Sequence, residues 1–195
     1  MNNEALVRFK EGFTNILEGL QCLGIDIHST DFIGTPSRAA KGLVEIIKAG
    51  VDIDKEVEGI LSSAFDAKGY KEIILARNIR TVGLCPHHLL PVLYTVNLGY
   101  IPNENGKVLG LSKLARLAEL LAARPILQEV YTRSLTDRLG LITPLGSIAV
   151  VRGDHMCMQI RGVKQNSNVV TSSLEGVFME DMAARAEVMN LMGNV

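Results

Sequence analysis

Hydrophobic residues near the start of the chain recur at helical spacing. Steps of three and four residues predict an amphipathic helix over residues 4–23 that ends near Gly24. Its apolar positions are Leu6, Phe9, Phe13, Ile16, Leu17, Leu20 and Leu23.

Two further helices are predicted before the pattern changes. Thr35 suits the N-cap of the first and Pro36 its first helical position, and we expect that helix to run to about Ala49. The other is predicted over residues 53–64 and is followed by a polar loop through Gly69. These segments predict an N-terminal helical region, residues 1–65.

Beyond this region the apolar positions alternate, which favours strands. The clearest period of two covers residues 93–100. The other predicted strands are 72–76, 79–82, 108–109, 146–151 and 156–163, with a turn at 102–106 and helices at 111–123, 127–139 and 179–192. Helices followed by hairpins and helix pairs predict an α+β chain with an antiparallel sheet, its main domain spanning residues 66–195 within one structural unit.

Composition excludes several classes of protein. The formal net charge of −1 gives no basic field for nucleic acid. No run approaches the length of about 18 apolar residues that a membrane span needs, and the start shows no signal peptide. A cytoplasmic protein with no membrane or nucleic-acid partner is therefore expected. With 47% hydrophobic residues and few aromatics, surplus apolar surface hints at burial between subunits.

Thiol and imidazole groups cluster in two short windows, residues 85–88 and 155–157, about seventy residues apart. Two of the 3 cysteines and three of the 4 histidines of the chain lie there. Cys85, His88 and Cys157 can form an open zinc site, because three protein ligands leave a fourth position for water or substrate. His87 and His155 would remain beside the metal as proton carriers.

Other interpretations of these windows stay open on spacing alone. His87 or His155 can serve as a fourth ligand of a closed, structural site. Cys157, flanked by two methionines, can also be a buried core cysteine. A spare histidine beside each ligand pair favours the open site.

Seven motifs, in order and at characteristic spacings, resemble the GTP cyclohydrolase I family over nearly the whole chain. They are Cys85-Pro-His-His-Leu-Leu-Pro91, Gly99-Tyr-Ile-Pro102, Gly110-Leu-Ser-Lys-Leu-Ala-Arg116, Gln128-Glu129, His155-Met-Cys-Met158, Arg161-Gly-Val163 and Thr171-Ser172. Thr35-Pro36-x-Arg38-x-x-Lys41 near the front adds to the match.

The resemblance implies an enzyme that hydrolyses GTP. Zn²⁺ would be held by Cys85, His88 and Cys157 and would activate water to attack C8 of guanine. Release of formate, rearrangement of the ribose and ring closure would give 7,8-dihydroneopterin triphosphate, for folate or deazapurine synthesis. His87 and His155 match the family's acid–base residues, although either can instead be an outer residue that only orients the site.

The resemblance also implies residues for the substrate. Glu129 with Gln128 matches the pair that recognises guanine; without the family, Glu129 would be interpreted as a surface helix residue. The expected triphosphate ligands are Ser112, Lys113, Arg116 and Arg161, with Arg38 and Lys41 reaching in. By spacing alone, the last two form a solvated surface pair.

The implied fold is the tunnelling fold, a small antiparallel sheet with two helices on one face, preceded by N-terminal helices. In that family, subunits join their sheets into a ring and two rings stack, typically as a homodecamer. Active sites lie at subunit boundaries and draw residues from neighbouring chains.

Departures from the family pattern leave other functions open. They are Pro86, Val92, Tyr94, Thr95, Ile126 and Arg152. One alternative is a non-catalytic zinc-containing assembly that binds purines or pterins. Another is a related tunnelling-fold enzyme such as a nitrile reductase, but that chemistry needs a nucleophilic cysteine and a nicotinamide cofactor.

Overall fold

Strands of the chain form a four-stranded antiparallel sheet in a computed structural model that describes residues 3–48, 50–103 and 106–193. The strands are β1 (Ala64–Asp66), β2 (Ile74–Leu84), β3 (Pro91–Ile101), β4 (Lys107–Leu109), β5 (Gly146–His155) and β6 (Val169–Gly176), and the four-stranded sheet has the order β2-β3-β5-β6. The helices are α1 (Asn3–Cys22), α2 (Thr35–Ile46), α3 (Ile53–Leu61), α4 (Ser112–Ala122), α5 (Gln128–Leu139), α6 (Met156–Gln159), α7 (Val177–Glu180) and α8 (Met182–Met192).

The chain divides into two compact units, Met1–Val51 and Asp52–Val195. In the first, α1 packs against α2. The predicted boundary between residues 65 and 66 stays a prediction.

One face of the sheet carries two helices, as expected of the tunnelling fold. α4 packs on β2 and β3, and α5 packs on β5 and β6. Alternate residues of β3 supply much of this core; they are Val92, Tyr94, Val96, Leu98 and Tyr100, all at most 1% exposed. The period-two pattern thus reflects one strand face buried beneath helices.

The opposite face has a smaller core that was not predicted. Ile148 and Val150 of β5 pack there against Phe178 of α7 and Val188 of α8. The single helix predicted at 179–192 is two helices, because Asp181 is extended and its carboxylate accepts a hydrogen bond from the Ala183 N–H as the cap of α8.

Several predicted boundaries differ from the structure. The strand pieces at 72–76 and 79–82 are one strand, β2, with a bulge where Asn78 has φ 56° and its N–H donates to Asn97 Oδ1. Gly34, with φ 73°, is the N-cap of α2 in place of Thr35. The predicted end of that helix at Ala49, and Glu104 and Asn105 of the predicted turn, lie outside the described residues.

The C-terminal hairpin differs most. The prediction of a strand at 156–163 is wrong, because the chain turns into the short helix α6 there, closed by the Ile160 N–H donating to Met156 O at 3.1 Å. The edge strand β6 was not predicted. Neither was β1, which begins at the last residue of the predicted helix 53–64, extends into the predicted polar loop and pairs with β4.

Candidate metal centre and adjoining cavity

The loop between β2 and β3 holds Cys85 in a closed turn. Its N–H donates to Leu90 O at 2.9 Å, and its carbonyl accepts from the Leu89 N–H at 2.8 Å. Leu89 has φ 53°, a left-handed conformation that reverses the chain into Pro91 at the start of β3. Cys85 is therefore fixed at the sheet end and buried, whereas His87 and His88 are exposed on the turn.

Strand register brings the second window to this loop. Val92 in β3 pairs with His155, the last residue of β5. The helical turn of α6 then directs Cys157 toward Cys85, and the candidate ligand atoms of Cys85, His88 and Cys157 all lie within 4.8 Å of one another. The three predicted ligands thus meet at one place although two of them are about seventy residues apart in the chain.

The donor set and its spacing fit zinc. Zinc bonds of about 2.3 Å to sulfur and 2.0–2.1 Å to nitrogen, at tetrahedral angles, put the two ligand atoms about 3.6 Å apart. Cys85 Sγ and His88 Nδ1 are 3.6 Å apart. In the part of the chain that the structure describes, this is the one group of three or more such residues close enough to share an ion, and neither His87 nor His155 belongs to it.

Burial affects the ionisation of both groups in the second window. Burial raises the pKa of the Cys157 thiol, and the neighbouring Cys85 raises it further. A bound cation would reverse that direction, because it stabilises the thiolate. Burial also lowers the pKa of His155, against the opposing influence of the Glu129 and Asp154 carboxylates, so its imidazole favours the neutral form.

The start of α5 lies beside the metal centre. The Ile126 N–H donates to the carbonyl of Leu84, the residue before Cys85, at 3.2 Å. This bond fixes the start of α5, where Gln128 and Glu129 line a cavity of about 310 Å³. The cavity is also lined by Cys85, Pro86, His87, His155 and Cys157.

Gln128 is buried, with 3% of its surface exposed, and its side chain is fully engaged. Its Nε2 carries two hydrogens, which three acceptors share: Val151 O at 3.1 Å, Val169 O at 2.9 Å and Thr171 Oγ1 at 3.1 Å. Its Oε1 lies 2.7 Å from His155 Nε2. Its predicted contact with guanine stays a prediction, whereas Glu129 is exposed and faces the cavity.

The predicted phosphate ligands of the second unit are not among the residues that line this cavity. Ser112, Lys113 and Arg116 occupy the first turns of α4, and none of them lines the cavity. Arg161 follows α6 and is exposed. Arg38 and Lys41 are exposed on α2 in the first unit.

Arg38 has partners within that unit. Its guanidinium donates to Ile33 O at 2.5 Å and to Thr35 Oγ1 at 3.0 Å. These bonds hold the guanidinium at the start of α2.

Two residues at the site were not predicted. Thr171, on β6, bonds to Gln128, and its only sequence signal is the Thr171-Ser172 motif. Tyr94 is 1% exposed, and its hydroxyl has no partner in the described residues. Burial, followed by the nearby Cys85, Glu129 and Cys157, raises the pKa of Tyr94 to about 12, so its phenol stays protonated at neutral pH.

Known proteins of one family match the chain along almost its whole length. The family model for GTP cyclohydrolase I matches residues 10–193. GTP cyclohydrolase 1 of Thermoanaerobacter pseudethanolicus is 38% identical over 190 residues, covering 96% of each chain. GTP cyclohydrolase 1 of Brevibacillus brevis is 37% identical, covering 98% of this chain and 100% of the other, and that of Corynebacterium glutamicum is 39% identical, covering 98% of each.

Proposed function

The chain belongs to the GTP cyclohydrolase I family, and from that premise we propose that it is a zinc-dependent GTP cyclohydrolase I. It hydrolyses GTP at guanine C8, releases formate and yields 7,8-dihydroneopterin triphosphate. The observation that carries this proposal is the Cys85–His88–Cys157 group at a cavity lined by His87, His155 and Glu129. Among the described residues, the helices lack the length and hydrophobicity that a membrane-spanning segment requires.

Cys85, His88 and Cys157 would hold the zinc ion. When bound, zinc supplies Lewis-acid activation of water near neutral pH. The three protein ligands would leave a fourth coordination position free for water or substrate, and the group adjoins the cavity. An open ligand position distinguishes catalytic from structural zinc sites.

His87 and His155 are proposed to carry protons. Opening the imidazole ring of guanine requires a proton at the departing ring nitrogen, and histidine titrates in a suitable range. His87 is exposed and can exchange protons with water, whereas His155 is half-buried in the lining of the same cavity. The pair thus provides one imidazole that is exposed to solvent and one that is partly buried.

Glu129 is proposed to recognise guanine. A carboxylate accepts two parallel hydrogen bonds from the ring N–H and the exocyclic amine of guanine, and the corresponding edge of adenine lacks this donor pair. Glu129 stands in the first turn of α5 and lines the cavity, so its carboxylate is available to a ligand there.

We propose that the triphosphate of GTP bound in one subunit contacts basic side chains of a neighbouring copy. Ser112, Lys113 and Arg116 lie at the N-terminus of α4, a position that favours anions. They do not line the cavity of their own chain, and this supports a site completed between subunits. Arg161 is proposed to contribute from α6, and Arg38 and Lys41 from α2.

Self-association into a ring-based homo-oligomer, expected to be a decamer, is part of the proposal. β2 and β6 are the edge strands of the four-stranded sheet, and unpaired edges suit pairing with another copy. A cytoplasmic location is proposed as well, because reducing conditions keep thiol ligands free for zinc.

Incubation with GTP and zinc tests the function. Formate release together with the pterin chromophore is the expected result, and GTP binding without turnover at any zinc concentration would favour the non-catalytic binding assembly instead. Oxidation of a nicotinamide cofactor with a nitrile substrate, without formate from GTP, would favour the reductase. Sedimentation of the purified protein tests the oligomer separately.

A further inference from the structure

A continuous set of hydrogen bonds runs from α5 and β6 to His155. Thr132 Oγ1 donates to Gln128 O at 2.8 Å and lies 2.6 Å from Thr171 Oγ1. A hydroxyl has one hydrogen, so Thr171 must be the donor in the bond between the two threonines. The remaining lone pair of Thr171 then accepts from Gln128 Nε2 at 3.1 Å.

These bonds fix which way the Gln128 amide faces. Val151 O, Val169 O and the Thr171 hydroxyl all act as acceptors on one side of it. An amide oxygen placed there would meet three acceptors inside a buried site, so the nitrogen occupies that side. Gln128 Oε1 therefore faces His155.

The orientation of Gln128 in turn fixes the tautomer of His155. An amide oxygen only accepts, so the His155 Nε2 that lies 2.7 Å away must carry a hydrogen. In the neutral imidazole the lone pair is then at Nδ1. Gly153 leaves the space for this arrangement, because a Cβ there would overlap Gln128 Oε1 and lie 3.1 Å from His155 Nε2.

We propose that Gln128 is a positioning residue that holds His155 as the Nε2–H tautomer, with Thr171 and Thr132 orienting the amide. The inference rests on the proposed function, in which His155 carries protons at the cavity. It assigns Gln128 a role different from guanine binding, since its side chain would have to leave His155 to reach a ligand. Histidines that hold or transfer protons depend on a partner of this kind to present the correct nitrogen.

The tautomer is measured directly by solid-state ¹⁵N NMR of histidine-labelled protein at mildly alkaline pH, where imidazole is neutral. His155→Asn identifies the resonances. In the wild-type protein His155 is expected as a single Nε2–H tautomer, and in Gln128→Leu as a mixture of tautomers. Thr171→Val, which keeps Gln128 and removes one acceptor, is expected to shift the population in the same direction.

Kinetics separate positioning from substrate binding. Gln128→Leu should lower kcat roughly 10–100-fold, the range found for residues that orient a catalytic or metal-bound histidine, with KM unchanged. Thr136→Val is the matched control, because it removes a 2.7 Å hydroxyl contact between α5 and Ser173 of β6 that does not involve His155. In this variant the His155 tautomer and kcat should both be unchanged.

Two results would overturn the inference. One is an unchanged His155 tautomer in both Gln128→Leu and Thr171→Val. The other is a raised KM for GTP with kcat unchanged, which would mean that Gln128 binds the substrate. A wild-type protein without turnover would refute the proposed function only, because the NMR measurement needs no activity.

Discussion

Replacing Cys157 by alanine should greatly weaken zinc binding without unfolding the chain. Cys157 is half-buried on the short helix α6 and packs at the margin of the core, so loss of its sulfur removes little apolar contact. Its thiol is nevertheless one of the three groups whose ligand atoms lie within 4.8 Å of one another. The variant therefore separates the metal centre from the fold.

The size of the effect follows from the number of ligands. Zinc sites with four ligands contribute about 10–16 kcal/mol at neutral pH, or about 2.5–4 kcal/mol for each ligand if the total is divided equally. At about 1.4 kcal/mol for each factor of ten, loss of Cys157 should weaken zinc binding roughly 10²–10³-fold. GTP turnover should fall with zinc occupancy, and excess zinc should restore it only in part.

Competition with a chromophoric chelator measures the dissociation constant, and metal analysis of the purified protein measures occupancy. Cys22→Ala is the matched control, because Cys22 is the exposed free cysteine at the end of α1 and belongs to the other unit. The control should bind zinc like the wild type. A Cys157→Ala protein with wild-type affinity would refute the assignment of Cys157 as a ligand.

Three further substitutions test the site and its support. His87→Ala should keep zinc and lower turnover roughly 10²–10⁴-fold through loss of a proton carrier, and loss of metal from this variant would contradict the role. Glu129→Gln removes a charged acceptor of two hydrogen bonds at about 1.5–3 kcal/mol each, so kcat/KM for GTP should fall roughly 10²–10⁴-fold; an unchanged value would exclude guanine recognition by Glu129. Gly83→Ala should destabilise the protein by about 1–3 kcal/mol in urea denaturation, because the new Cβ would lie 2.8 Å from Tyr94 Cε2 and 3.0 Å from Ala122 O, and an unchanged midpoint would show that this contact relaxes freely.

The sequence pattern predicts the helices and strands in which apolar residues recur at the period of the secondary structure. Residues 93–100 alternate because one face of β3 lies under α4, and the three- and four-residue steps of residues 4–23 match the helix α1. The grouping of the three candidate ligands was also predictable, since thiol and imidazole side chains are few in this chain and zinc prefers them.

The errors in the C-terminal hairpin have a common cause. Residues 156–163 are locally compatible with a strand, but a single helical turn is needed to bring Cys157 toward Cys85, and short apolar runs do not distinguish the two. β6 carries hydroxyl residues that face α5, where Thr171 and Ser173 pair with Thr132 and Thr136. Polar residues with tertiary partners look like loop residues when the partners are unknown.

The Gln128 hydrogen bonds lie beyond sequence reasoning for a similar reason. Two of its acceptors are backbone carbonyls, Val151 O and Val169 O, and any residue type supplies a carbonyl. Their positions follow from the pairing of β5 with β6, a strand that the pattern did not reveal. A buried glutamine at the start of a helix therefore carries no local sign of its partner.

The candidate metal centre lies at the ends of β2 and β5, two strands that both pair with β3 but lie far apart in sequence. An ion shared by Cys85 and Cys157 is thus a reversible crosslink that closes a loop of about seventy residues. In the chain-entropy description, closing a loop of that length restricts the unfolded chain by about 4 kcal/mol, provided that the crosslink survives unfolding. Because unfolding of the sheet would disperse the ligands, a bound zinc ion would instead stabilise the folded chain by mass action, and the thermal midpoint should rise with free zinc concentration. Metal supply would then set how long the protein persists as well as how fast it works.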